Sequence, residues 1–202
     1  LKFLSRRRNV TVYQFALSDR NGTGELHIPS VGGCPVDALA TLDSRRPAFR
    51  EVYRSVPAEL RRLDDVLPRG GPRLSFVKCD VDGHELRVLK GAEETVKRDR
   101  PLLLVEIEQR VQGERRDVSE TFRYVEELGY VGYLLGERGL APLADFDIER
   151  DQIALLDESM MTVILPGYVN EFFFVPPDRA HNVAPLVASV SRSRSGSRPV
   201  AR

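Results

Sequence analysis

Tryptophan is absent from this chain of 202 residues, and cysteine and methionine occur only twice each. Cys34 and Cys79 stand without a CxxC pair or a Cys/His cluster, so neither a disulfide scaffold nor a structural zinc site is supported. Net charge is missing as well, because 30 basic side chains cancel 30 acidic ones. Nucleic-acid and anionic-membrane binders draw affinity from surplus Lys and Arg, and this balance argues against both. The longest apolar run, Pro101-Leu-Leu-Leu-Val105, falls far below the ~20 residues of a membrane span. Leu1-Lys-Phe-Leu runs directly into Ser-Arg-Arg-Arg, without the apolar stretch of a signal peptide. These absences lead to the expectation of a soluble, cytoplasmic chain. The first residue is Leu rather than Met, which raises the expectation of a longer gene product.

Hydrophobic residues make up 42% of the chain, enough for a packed core. Val10-Thr-Val-Tyr-Gln-Phe-Ala-Leu17 is β-branched and aromatic in alternation, and it ends at Ser18-Asp-Arg-Asn-Gly22. Asn-Gly tolerates the positive φ of a tight turn, so this segment and Glu25-Leu-His-Ile28 predict a hairpin. Residues 29–55, with Pro29, Gly32, Gly33 and Pro35, read as a surface insertion. Leu74-Ser-Phe-Val-Lys-Cys79 has the near-continuous apolar character of a strand buried in a parallel sheet. Leu86, Leu89, Ala92 and Val96 then share one helix face, and Leu102-Leu-Leu-Val-Glu-Ile107 is a second buried strand. Asp117-Val-Ser-Glu120 predicts a capping box ahead of Phe122, Val125 and Leu128, with a stop at Gly129. Further strands are predicted over 130–135, 161–165 and 169–175. Strand and helix in alternation predict an α/β domain with a mostly parallel sheet over residues 1–178. The Ser/Arg-rich residues 179–202 are expected to form a disordered tail.

Ligands of open parallel sheets bind beyond the carboxyl ends of the strands. That rule singles out Cys79-Asp-Val-Asp-Gly-His-Glu85 and Val105-Glu-Ile-Glu-Gln-Arg110. Asp80, Asp82, His84, Glu85, Glu106 and Glu108 would then share one rim, where they provide a general base or bind a divalent cation. Plainer roles stand beside that reading. Asp82 and Glu85 have capping-box spacing, His84 suits an exposed first helical turn, and Glu106 and Glu108 suit a solvated strand face. Asp80 ends an apolar strand, where a carboxylate is costly without a partner or a task. Cys79 is expected to be a small core residue rather than a nucleophile.

Four segments stand out by their wording: Asn9-Val-Thr-Val with Ala16-Leu-Ser-Asp-Arg-Asn-Gly22, Leu63-Asp-Asp-Val-Leu67, Arg100-Pro-Leu-Leu-Leu-Val-Glu-Ile-Glu108 and Tyr168-Val-Asn-Glu-Phe-Phe-Phe-Val-Pro176. A fifth, Val77-Lys-Cys-Asp-Val-Asp-Gly-His-Glu-Leu-Arg-Val-Leu-Lys-Gly-Ala92, is the most specific. Together they resemble the FkbM family of methyltransferases. The resemblance implies a Rossmann-like class I methyltransferase fold with an antiparallel final strand. It also implies S-adenosyl-L-methionine as cofactor and O-methylation of a hydroxyl on a sugar, glycolipid or polyketide-type acceptor. By position it places Asp19 near the cofactor's adenine and Asp80 at the methyl-transfer centre. His84, Glu85 and Glu106 border the acceptor, with His84 the residue suited to take its proton.

The departure from that pattern is at the beginning. No Gly-rich loop opens a helix after a strand here, so the resemblance covers the carboxyl-terminal portion of such a domain. An inactive fragment, or an oligomer formed through an exposed edge, is an alternative expectation. Asp80-Val-Asp-Gly83 is also similar to the Asp-x-Asp-Gly of haloacid-dehalogenase phosphatases and to glycosyltransferase Asp-x-Asp sites. In the phosphatases the motif lies at the first strand and continues with Thr, whereas His84 follows here.

Overall fold

The structure, a computed structural model, describes residues 9–31, 34–36, 40–42, 52–67, 69–112, 118–136, 139–156, 166–181, 183 and 185. The predicted strand at 161–165, Asp117 of the predicted capping box and most of the predicted tail lie outside these residues, whereas Val183, within that tail, is buried.

Two sheets organise the chain. The first joins β1 (Ala16–Leu17), β2 (Gly22–Val31), β3 (Cys34–Pro35) and β4 (Val52–Arg61) in the order β1-β4-β2-β3. β1 is parallel to β4, while β2 is antiparallel to it along nearly its whole length. The predicted hairpin is therefore corrected. β2 pairs with β4, which begins inside the predicted insertion of 29–55 and runs on to Arg61, and β4 lies between β2 and β1. Only Ala16 and Leu17 of the predicted first strand find a ladder partner, at Leu60 and Arg61. Alternation alone does not make a strand without such a partner. The ladder slips between Ile28 and Pro29, where proline has no N–H to give it.

The second sheet comprises β5 (Phe76–Cys79), β6 (Leu102–Glu106), β7 (Val131–Gly136), β8 (Gly139–Pro142) and β9 (Glu171–Val175), in the order β5-β6-β9-β7-β8. β5 and β6 are parallel, and the other three pairs are antiparallel. The sheets are thus mixed rather than mostly parallel. β9 inserts between β6 and β7 against their common direction and replaces a parallel pairing with two antiparallel ones. Within this sheet β5 is an edge, so Phe76 is half exposed, unlike the buried strand the sequence predicted.

Helices cover the sheet. α1 (Leu63–Val66) precedes β5, and α2 (Glu85–Lys90) and α3 (Glu93–Asp99) take the place of the one predicted helix. α4 (Gln109–Gln112) follows β6, α5 (Val118–Glu127) precedes β7, and α6 (Ile148–Asp151) precedes β9. Phe172 and Phe174 of β9 point into the main core with Leu103, Val105, Leu89, Val96 and Val125. Phe173 and Val175 belong to a smaller cluster with Leu140 and Val183, as the two-residue strand period requires. Phe122 of α5 meets Phe172 edge-on at 4.7 Å between ring centroids, and Phe146 meets Phe172 at 5.0 Å. Among the described residues no helix is long and apolar enough to cross a membrane.

Candidate active site

The parallel pair β5 and β6 ends at Asp80 and Glu106, and β9 begins beside them at Glu171. Asp80 and Glu106 are hydrogen-bonded carboxyls, and their surroundings drive them apart. Burial, the bond to Asp80 and the charges of Asp80 and Glu108 push Glu106 up to about 8. The same bond from Glu106, helped by Lys78, holds Asp80 below the ordinary carboxylate range. One carboxyl near neutrality therefore carries a proton and the other receives its hydrogen bond. Lys78 Nζ lies 3.4 Å from Asp80 Oδ2 and 3.0 Å from Glu171 Oε1.

Glu108 is buried, not solvated. It pairs with Arg110 Nε. Asn170, the residue before β9, donates from Nδ2 to Glu106 Oε1 and, at 2.9 Å, to Glu108 Oε1. Its own carbonyl accepts from Ile107 N at 2.8 Å. Gln152 is fully buried and ties this arrangement together. Its Nε2 donates to the carbonyls of Ile107 (2.8 Å) and Val169 (2.7 Å), and its Oε1 accepts from Gln109 N at 2.8 Å. The segments carrying Glu106 and Glu108 on one side and Asn170 on the other are thereby fixed to each other. Tyr168 lies beside Arg110 and Glu108, and burial pushes its phenol up.

The loop between β5 and α2 turns through Asp82 (φ 51) and Gly83 (φ 88), both left-handed. Glu85, 1% exposed, reaches back to accept from Gly83 N at 2.8 Å and Val81 N at 3.4 Å. Glu85 thus serves loop amides, although α2 is capped at His84 rather than by an Asp82 side chain. Asp82 is held instead through its carbonyl, which accepts from the Thr41 hydroxyl at 3.2 Å.

His84 is buried, not exposed, and its Nε2 lies 3.0 Å from Ser18 Oγ. Ser18 Oγ donates to Asp19 Oδ1 at 3.1 Å. A hydroxyl has a single proton, so His84 Nε2 is the donor to Ser18. Asp19 also receives Arg87 Nη1 at 3.4 Å. Of the predicted site residues, Asp80 and Glu106 meet at the β5/β6 end, whereas Asp19 and His84 share a network through Ser18 at the end of β1. Sequence reading missed Asn170, Gln152 and Lys78 as members of the site. Lys78 lies inside β5 and Asn170 at the amino end of the antiparallel β9, so a rule about carboxyl ends reaches neither; Gln152 lies in a stretch with no period at all. Cys79 is buried in the core, which pushes its thiol up as expected for a packing residue. Among the described residues no group of three or more His, Cys, Asp or Glu side chains is arranged to hold a metal ion.

The methyltransferase FkbM domain model matches residues 2–131. A crystal structure of methyltransferase FkbM from Methylobacillus flagellatus KT is similar at 18% identity and a TM-score of 0.35. That likeness covers 58% of this chain and 23% of the other, so the chain spans about a quarter of that protein's length. No curated protein matches the sequence.

Proposed function

Because this chain belongs to the methyltransferase FkbM domain family, we propose that it transfers a methyl group from S-adenosyl-L-methionine to a hydroxyl of a sugar, glycolipid or polyketide-type acceptor. The observation that carries this reading is the Asp80–Glu106 pair at the ends of β5 and β6. An alcohol becomes a better nucleophile as its proton is removed, and an ionised carboxylate within reach takes that proton. Asp80 is the ionised member, and its carboxylate is 43% exposed, so a hydroxyl can reach it. Glu106 holds a hydrogen bond to Asp80, and Lys78 orients Asp80 from the strand below.

What supports the cofactor among the described residues is the partly exposed Asp80 carboxylate. That anion would attract the cofactor's positive charge, and when bound the cofactor would supply the electrophilic methyl. For the nucleoside end the described residues offer Asp19, whose carboxylate is engaged by Ser18 and Arg87. We assign Asp80 to proton acceptance, Glu106 to tuning Asp80, and His84 with Asp19 to holding the loop after β5 against β1. The acceptor is the expected partner, a small molecule or a glycan.

The test is incubation of the chain with methyl-labelled S-adenosyl-L-methionine and a panel of polyhydroxyl acceptors. Label in an ether linkage, lost on Asp80→Asn, supports the reading. Label found only on nitrogen or carbon, or ether formation untouched by Asp80→Asn, overturns it.

A further inference from the structure

We propose that Asn170 is a positioning residue that decides which oxygen of Glu106 bears the proton shared with Asp80. The inference rests on the methyl-transfer reading for its consequence, but not for its geometry. Asn170 Nδ2 has two hydrogens, and both are committed: one to Glu106 Oε1 and one to Glu108 Oε1 at 2.9 Å. An oxygen that accepts from an amide N–H is the carbonyl-like oxygen of a protonated carboxyl. The acid hydrogen of Glu106 is thereby assigned to its other oxygen, the one without the amide donor, for its bond to Asp80. Glu108 cannot compete for that hydrogen, because it is buried as the partner of Arg110.

The groups facing the pair come from three elements. Lys78 comes from β5, Glu108 and Arg110 from the segment after β6, and Tyr168, Asn170 and Glu171 from the approach to β9 and its start. Of these Asn170 is the side-chain amide, and it spans the two carboxyls of Glu106 and Glu108. Gln152 and the Ile107 N–H to Asn170 carbonyl bond hold its backbone in place. The consequence for turnover is directional. A proton leaving an acceptor oxygen arrives on Asp80 while the acceptor forms its bond to the methyl carbon and the carbon–sulfur bond breaks. Glu106 must keep its own hydrogen pointed at Asp80 for that carboxylate to stay ionised until then.

The experiment is carboxyl and side-chain amide NMR on the whole chain across about pH 5–10, a window that lies above the ordinary carboxylate range and brackets the raised Glu106 titration, at about 8. In the unmodified chain the Asn170 Nδ2 protons should shift with the same midpoint as the Glu106 carboxyl. Amide protons that ignore the Glu106 titration overturn the proposal without any variant. In Asn170→Asp, which keeps the side chain's shape, the Glu106 midpoint should move up, since a donor is replaced by a carboxyl. Methyl transfer by this variant should lose about 10²–10⁴-fold in kcat, the usual worth of proton transfer, with the acceptor KM nearly unchanged. An unchanged Glu106 midpoint in folded Asn170→Asp overturns the proposal. Coupled titration in a chain with no methyl transfer to any hydroxyl upholds the positioning by Asn170 and overturns the function proposed above.

Discussion

Gly91 lies directly against the backbone of Ser18: a Cβ at Gly91 would stand 1.9 Å from the Ser18 carbonyl oxygen and 2.8 Å from its carbon. The backbone of Gly91 is ordinary right-handed helix (φ −74), so space rather than conformation demands glycine here. The contact joins the end of α2 to the end of β1, the same junction at which His84 meets Ser18.

Gly91→Ala should therefore destabilise the fold by at least about 2 kcal/mol, because the obstructing atoms are main chain and cannot rotate away. At an open helical position the same change would stabilise by up to about 1 kcal/mol. Urea unfolding of the two proteins reads the sign, and a variant as stable as its parent would contradict the contact.

Asp64 makes a second cross-element tie. Its Oδ1 accepts from Thr95 N at 2.8 Å and its Oδ2 from Glu94 N at 3.2 Å, so a residue of α1 caps α3. Asp64→Ala should cost about 1–2 kcal/mol, and Asp64→Asn less, because one acceptor remains. The urea midpoints of the two variants, ranked against the parent, check this.

The legible parts of the chain are those where one segment determines its own structure. Leu102–Glu106 carries its burial in its composition, and Phe122 and Val125 mark the buried face of α5 by spacing alone, with Leu128 just past its end. Asp80 and Glu106 follow from strand ends. What was not legible depends on distant partners. β4 does alternate, with Val56, Ala58 and Leu60 against Pro57, Glu59 and Arg61, but Arg54 breaks the apolar face and Pro57 gives the ladder no N–H, so its partner β2 had to be known before it could be read as a strand. His84 reads as an exposed helical residue until Ser18, 66 positions away, is placed beside it. Gln152 has no sequence signature, since its role depends on the carbonyls of Ile107 and Val169 being brought to one place.

Gln152→Ala removes three hydrogen bonds at a fully buried position. The expected loss is about 2–4 kcal/mol, mostly from main-chain groups left without partners. Amide exchange should quicken at Gln109, whose N–H loses its acceptor. Protection at Gln109 equal to that of the parent would refute this account of the tie.

Glu106 gives the stability of the chain a definite pH dependence. Its carboxyl is pushed from an ordinary 4.5 to about 8, so between those values the folded chain holds a proton that the unfolded chain has released. Stability then falls as pH rises through that window and levels off above it, because the unfolded state binds fewer protons. The lowered Asp80 acts oppositely, but only at acid pH, where the unfolded chain takes up a proton that the folded one does not. Glu106→Gln should flatten the slope between about pH 5 and 8 while leaving the acid limb in place. Urea midpoints of both proteins across that range provide the check, and equal slopes would contradict the shared proton.

Asp80 and His84 should separate rate from stability. If Asp80 takes the acceptor proton, Asp80→Asn should lower methyl transfer by about 10²–10⁴-fold while the fold survives, since its carboxylate is partly exposed and bonded through its side chain. His84 is buried and gives its Nε2 hydrogen to Ser18. His84→Ala removes that bond and opens a space beside α2, so it should lower the urea midpoint by an amount equivalent to about 1–3 kcal/mol. Its turnover, measured at a temperature where the variant is fully folded, should stay within about tenfold of the parent, well short of the loss expected for a missing general base. His84→Asn, which keeps a donor, should recover part of the stability and show that the bond to Ser18 is the source. A His84→Ala protein as stable as its parent but as slow as Asp80→Asn would reverse the two assignments and make the imidazole the proton acceptor.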